Sequence, residues 1–301
     1  MNRREAPHNM QCISARESAL CHLRNCQLLV AGHGTAYPSA QFRGRPQGDF
    51  IVENCLIGQQ LLFYVTHDQP MRAALNHNTV LELFLTIRHH HQLDLAARQP
   101  GAGEFQIETS SNILGGPLMF VQPQEFVGSE VEFSGQACER VLRQVVTWRE
   151  NGNLYSSSDG SELLRLFLEP GNAPPRQRLA LETPLNDLPQ WKNFWALESL
   201  NSLRGEAKFQ GGSLVAKAKF DPEALTPDLF RLRPDSPGYR AGSDGKDLGA
   251  DVDLVGPGAA YERWKRTPEY KQWLKETRQV KSQESGVGDL EPASDAKPTD
   301  S

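Results

Sequence analysis

Val52-Glu53-Asn54-Cys55-Leu56-Ile57 sets an asparagine and a small residue ahead of a β-prone apolar pair, and the same shape recurs elsewhere in the chain. The other copies are Leu23-Arg24-Asn25-Cys26-Gln27-Leu28, Asn76-His77-Asn78-Thr79-Val80-Leu81 and Ser110-Ser111-Asn112-Ile113-Leu114. Successive asparagines lie 29, 24 and 34 residues apart. That spacing suits coils of three short strands joined by turns of variable length, and is too irregular for a rigid hexapeptide repeat. Further strand signals fall between the copies, at Leu61 to Val65, Leu83 to Ile87 with Leu93 to Leu95, and Leu118 to Val121. Up to about residue 135 the apolar runs alternate near period two between Gly, Pro, Asn and His, with no sustained helical period.

The pattern predicts an all-β chain folded as a right-handed parallel β-helix, a solenoid. In such a stack each strand pairs with its equivalent one coil away, so one side-chain type recurs at one corner. An asparagine at a bend tolerates the left-handed region, and its amide can satisfy backbone groups that the turn leaves unpaired. Asn25, Asn54, Asn78 and Asn112 are therefore expected to form one structural ladder, with Cys26, Cys55 and Thr79 stacked beside it as small packing residues. The expected organisation is a poorly ordered segment 1–19, a solenoid over 20–255 with irregular C-terminal insertions, short helices within 256–281 and a disordered tail 282–301. Because the repeat is recognisable almost from Leu23, its first coil would carry open strand edges. The chain is accordingly expected to be N-terminally truncated relative to a capped solenoid.

Composition sets the outer bounds. The 301 residues carry a formal net charge of -5, which gives no general attraction to nucleic-acid phosphates or anionic lipid. Apolar runs fall far short of the ~20 residues of a spanning helix, so no membrane span is expected. Five cysteines at irregular spacing, an odd number, point to thiols and not to a disulfide framework or a zinc site. The N-terminus lacks the apolar core of a secretory signal, so the chain as written reads as cytoplasmic. No lysine precedes Lys192, whereas all eight histidines do.

Towards the C-terminus the chain offers Asn153-Leu154-Tyr155, Leu188-Pro189-Gln190-Trp191, Phe220-Asp221-Pro222 and Phe230-Arg231-Leu232-Arg233-Pro234-Asp235-Ser236-Pro237, then Asp247-Leu248-Gly249-Ala250. This succession resembles the closing part of bacterial β-helix proteins of the pectate-lyase-like superfamily. The turn at Phe220 lacks one residue of that pattern. The resemblance covers about residues 20 to 255 and implies that these motifs are structural, with Asp247 capping nearby amides. It also implies frequent export among relatives. The stretch from Asp247 to Leu274 is similar to the tail of large bacterial proteins that join a Ser/Thr kinase to a β-helix. No kinase Gly-rich loop, catalytic loop or metal-binding triplet accompanies it. Ala259 to Arg266 and Pro268 to Gln279 read as two helices, with an aromatic side that packs on the solenoid or meets a protein partner.

Candidate chemistry follows from the superfamily. Uronate β-elimination needs an arginine or lysine base and often calcium held by carboxylates. Arg72, Arg88 and Arg98 are the candidate bases, with Asp68, Glu82 and Asp94 as acids. Glycoside hydrolysis would need two carboxylates facing one groove. His89-His90-His91 reads as a solvated turn, since alternate strand residues face opposite ways. The acids Asp244, Asp247, Asp251 and Asp253 read as turn caps, so no metal site is expected and calcium enters only with a lyase. Phe63, Tyr64, Phe84, Phe105, Phe120 and Trp148 stack on sugars if exposed and fill the core if not. Three functions stay open: a non-catalytic or degenerate module binding polysaccharide or serving as a scaffold, a polysaccharide lyase or glycoside hydrolase, and the detached scaffold or sensor portion of a kinase-linked protein. An exposed aromatic strip would favour sugar binding, and an arginine grouped with two carboxylates would favour an enzyme.

Overall fold

The computed structural model describes residues 13–29, 38–65, 70–83, 85–89, 105–123, 134–157, 161–169, 177–198, 201–256, 266–268 and 272. Two compact units divide the chain, Met1–Gly256 and Pro257–Ser301. The helices expected beyond residue 256 and the tail lie outside the described residues, apart from 266–268 and 272. Within the first unit, strands stack in three parallel rows. Row one takes Ile13–Arg16 of β1 (Ile13–Arg24), Ala40–Arg43 of β3 (Ala40–Glu53), β5 (Leu61–Val65), β8 (Leu85–His89), β11 (Leu118–Pro123) and β14 (Leu164–Glu169). Row two takes the second halves of β1 and β3, then β6 (Met71–Asn76), β9 (Phe105–Ser110) and β12 (Val146–Asn151). Row three stacks β2 (Gln27–Leu28), β4 (Leu56–Ile57), β7 (Thr79–Val80), β10 (Ile113–Gly115), β13 (Leu154–Ser156) and β16 (Leu203–Arg204). Each strand pairs in parallel with its counterpart from the next coil, and β15 (Gln177–Leu179) closes row one against β14 as an antiparallel partner. The result is an all-β, solenoid-like architecture of parallel sheets. The first strand starts at Ile13, ahead of the expected boundary at residue 20.

Period-two alternation explains the core. In row one, Phe42, Phe63, Ile87, Phe120 and Leu166 share one inward column. In row two Phe50, Ala73, Ile107 and Trp148 do the same, and in row three Leu28, Ile57, Val80, Leu114 and Tyr155. All are buried and form one cluster. Row three is apolar outward as well: Leu56, Ile113 and Leu154 meet Phe209, Leu214, Phe230, Leu232 and Leu248 in a second cluster. The segment 205–256 thus covers row three, while row two is left uncovered by it.

Two helices complete the stack. The helix α1 (Gly135–Val145) interrupts the coil before β12, where the sequence showed only thinning strand signals. Ser134 caps it by accepting from the Ala137 amide at 3.2 Å, and Ala137, Cys138, Val141, Leu142 and Val145 supply its buried side. The second, α2 (Leu188–Trp195), is capped by Asp187, whose carboxylate accepts the Gln190 amide at 2.8 Å, and ends at Ala196 in the left-handed region. Its Trp191 and Trp195 pack on Trp148 with ring centres 5.5 and 5.6 Å away, which seals the core over the late coils. A third short helix, α3 (Leu214–Phe220), belongs to the cover of row three. Among the described residues, no helix is long and apolar enough to cross a membrane.

Candidate functional site

Row two presents its outward positions as a charged sheet face. Asp49 lies directly across from Arg72, Arg72 from Gln106, and Glu108 from Arg149. Arg72 reaches diagonally to Glu108 at 2.6 Å, and Arg149 approaches the same carboxylate at 3.7 Å. Nearer the corner, Glu53 takes His22 at 3.3 Å and Arg24 at 3.5 Å. The same rank continues through Asn76, Ser110 and Asn151, where Ser110 donates to Asn76 at 2.8 Å and Asn151 accepts from Asn201 at 2.7 Å. Cross-strand pairs of this kind hold long side chains in fixed places above a flat sheet. Among the described residues, no Phe, Tyr or Trp occupies an outward position of row two, so no aromatic strip lies there.

The expected site residues are scattered. Arg72 is on this face, flanked by the two carboxylates Asp49 and Glu108. Its hydrogen bond to Glu108, then the Coulomb attraction of that carboxylate, raises its affinity for its proton above that of a free guanidinium. Arg88 sits in row one, paired with Glu169 at 2.5 Å and 5.9 Å from the Tyr64 ring centre. Glu82 is bound to Lys219 of α3 at 2.5 Å and so anchors the cover of row three. These three do not converge. Asp68, Asp94, Arg98, His90, His91 and Phe84 lie outside the described residues, as does the side chain of His89. Phe63, Phe105, Phe120 and Trp148 are core residues. Among the described residues, no group of three or more His, Cys, Asp or Glu side chains could hold a metal ion.

At the corner between rows two and three, the four asparagines occupy two neighbouring columns and not one. The left-handed position is held by Asn25, Asn54, His77, Ser111 and Gly152, with φ between 52° and 63°. The next position holds Cys26, Cys55, Asn78, Asn112, Asn153 and Ser202, each immediately ahead of a row-three strand. Thr79 belongs to the strand itself and does not stack with the cysteines. In this second column the Asn and Ser side chains each cap the backbone amide one coil back. Asn78 accepts from the Cys55 amide at 2.9 Å, Asn112 from Asn78 at 2.8 Å, Asn153 from Asn112 at 3.1 Å and Ser202 from Asn153 at 3.0 Å. Their amide nitrogens donate across the core, Asn78 to the Val52 carbonyl at 2.8 Å and Asn112 to the Leu75 carbonyl at 2.7 Å. The ladder ends on Glu150, which accepts from Ser202, from Tyr155 and from the indoles of Trp148 and Trp191. No repeat of the sequence marked Asn153, Ser202 or Glu150 in advance.

Residues 249–256 run across this corner as a strap. The Gly249 amide donates to Ser111 at 2.8 Å, Ala250 to Thr79 at 3.0 Å, Asp251 to the Asn54 side chain at 2.6 Å and Gly256 to Asn25 at 2.9 Å. One segment therefore reads four successive coils. Asp247 accepts the Arg240 amide at 2.9 Å, and Asp244 and Asp251 likewise accept amides two residues on, so these acids act as turn caps. Asp253 instead pairs with Arg231. A cleft of about 440 Å³ opens between the strap and the corner, lined by Arg24, Glu53, His77, Arg231, Lys246 and Asp247 among others. No protein-family model, curated protein or solved structure matches the chain.

Proposed function

We propose that the chain is a non-catalytic right-handed parallel β-helix module, related in architecture to the pectate-lyase-like superfamily, that holds an extended polysaccharide along row two. Handedness rests on the general rule that crossovers between parallel strands of one sheet are right-handed. The observation that carries the binding reading is the fixed charged face, in which Asp49, Arg72, Glu108 and Arg149 alternate in sign across successive coils. A linear, hydroxyl-rich polymer meets the same sign of charge again at every second coil, about 9.6 Å further on. Recognition there relies on hydrogen bonds, since among the described residues no stacking ring lies on the face.

A lyase is the second reading, favoured by Arg72 lying between two carboxylates. Against it stands proton affinity: a base must give up its proton to take the substrate's, and Glu108 binds that proton more firmly to Arg72. The deciding experiment screens acidic and neutral polysaccharides with and without calcium. It reads retention on immobilised glycan, new reducing ends, and ultraviolet absorbance of unsaturated product. Retention without product is expected, weakened at least tenfold by Arg72→Ala with Arg149→Ala. Product formed with wild type and lost with Arg72→Ala would establish the lyase instead.

A further inference from the structure

The column that caps backbone amides with Asn78, Asn112, Asn153 and Ser202 changes character in its first two coils, where it holds Cys26 and Cys55. The two residues precede strands that pair in register, Gln27 opposite Leu56, and the Leu56 amide donates to the Cys26 carbonyl at 2.9 Å. Adjacent coils are about 4.8 Å apart, inside the roughly 4.4 to 6.8 Å between Cα atoms that a disulfide spans. Both side chains take the same orientation: Cys26 donates to the Arg24 carbonyl at 3.2 Å and Cys55 to the Glu53 carbonyl at 3.3 Å, each two residues back. The Cys55 sulfur also lies 3.7 Å from the Leu23 carbonyl, which belongs to the coil of Cys26. The thiols therefore stack directly, Cys26 half-buried and Cys55 buried, both free in this structure.

We infer that Cys26 and Cys55 are a redox pair whose disulfide staples the first coil of the solenoid to the second. Row ends are where such a staple has an effect. Among the described strands β1 pairs only with β3, and β2 only with β4, so among the described residues the first coil has a ladder neighbour on one side. Chemistry assigns the order of events. Burial pushes the Cys55 thiol up to about 12, so the more accessible Cys26 supplies the attacking thiolate. With a peroxide as oxidant, the Cys26 sulfur takes one oxygen as sulfenic acid while the O–O bond breaks and the other oxygen leaves as water. The Cys55 sulfur then attacks the sulfenic sulfur, its proton leaving with the hydroxyl as a second water. Two thiols and one peroxide become one disulfide and two waters, and a dithiol reverses the change.

The test treats the full chain with hydrogen peroxide, quenches it by alkylation under denaturing conditions, and maps peptides by mass. A loss of two mass units in a peptide joining Cys26 to Cys55 is expected, with a rise in Tm of roughly 6 to 12 °C that dithiothreitol reverses. Hydrogen exchange should slow in residues 20–28. Cys26→Ser, at the half-buried position, should keep the fold and abolish all three changes, whereas Cys21→Ser should leave them intact. Peroxide treatment that leaves Cys55 alkylatable, or links either cysteine to a different partner, overturns the pair.

Discussion

Rows two and three are built alike, from parallel strands stacked in register over one shared core, yet they meet the outside differently. Outward from row three stand Leu56, Ile113 and Leu154, and the chain's own residues 205–256 cover them. Outward from row two stand Asp49, Arg72, Glu108 and Arg149, which interact with one another and which residues 205–256 leave uncovered. Inward columns thus fix the stack, while outward columns decide whether a face becomes core or surface. The corner between the rows belongs to both, because its asparagine column caps the coils and its neighbour receives the strap.

Breaking that corner should have the largest effect. Asn112→Ala removes the acceptor for the buried Asn78 amide and the donor to the Leu75 carbonyl, and takes one of its hydrogen bonds from the Asn153 side chain, which keeps those to the residue 112 backbone amide and to Thr109. Orphaned buried groups cost about 1–3 kcal/mol each, so a loss of about 3 kcal/mol or more is expected in urea unfolding. Gly249→Ala comes next. At φ +88° its new Cβ would sit 2.5 Å from Thr79 Oγ1 and 2.7 Å from Ile113 Cδ1, pressing the strap off row three. Strain and overpacking together predict about 2–4 kcal/mol. Gly245→Ala shares a positive φ of 76° but meets nothing within 4 Å, so its cost should be about 1 kcal/mol. Equal costs at the two glycines would mean that the strap does not bear on the coils.

Much of this was legible in the chain, and the misses have physical causes. Leu61 to Val65 is a strand as read, and Leu118 to Val121 lies within one, because alternation against a common core leaves a period-two signature. The asparagines marked the corner but not its register. An Asn serves equally as a left-handed residue and as an amide-capping side chain, so Asn25 and Asn54 were aligned with Asn78 and Asn112 one position too far. His77 and Ser111 hold the left-handed position without looking like it. The charged face was less accessible still. Arg72 and Glu108 are 36 residues apart, and only the true coil lengths bring them together. The helix α1 was visible in principle, since Ala137, Cys138, Val141, Leu142 and Val145 recur at helical spacing behind a serine cap.

The comparison also predicts a separation of roles. Arg72→Ala lies on an exposed pair and should change stability by no more than about 1 kcal/mol, while weakening glycan retention. The asparagine and glycine variants should behave in the opposite sense, losing stability first. A stability loss at Arg72 as large as that at Asn112 would make row two a structural face and leave no binding surface there.

The smallest effect concerns acid. Arg231, on the cover of row three, binds Asp253 of the strap, and that hydrogen bond holds the Asp253 carboxyl below the usual carboxylate range. A lowered folded value means that the pair contributes fully above the unfolded value of about 3.9 and loses its contribution as pH falls through the folded one. Arg231 keeps its proton throughout, since Asp253 raises its affinity further. Both side chains are substantially exposed, so the contribution is well under 1 kcal/mol. Between pH 5 and pH 2 the amides of residues 249–256 should exchange progressively faster in the wild type, beyond the intrinsic change in rate. Asp253→Asn should exchange faster already at pH 5 and show a shallower further response. A wild-type and variant response that coincide would place the strap's hold entirely in its uncharged bonds to Asn54, Thr79 and Ser111.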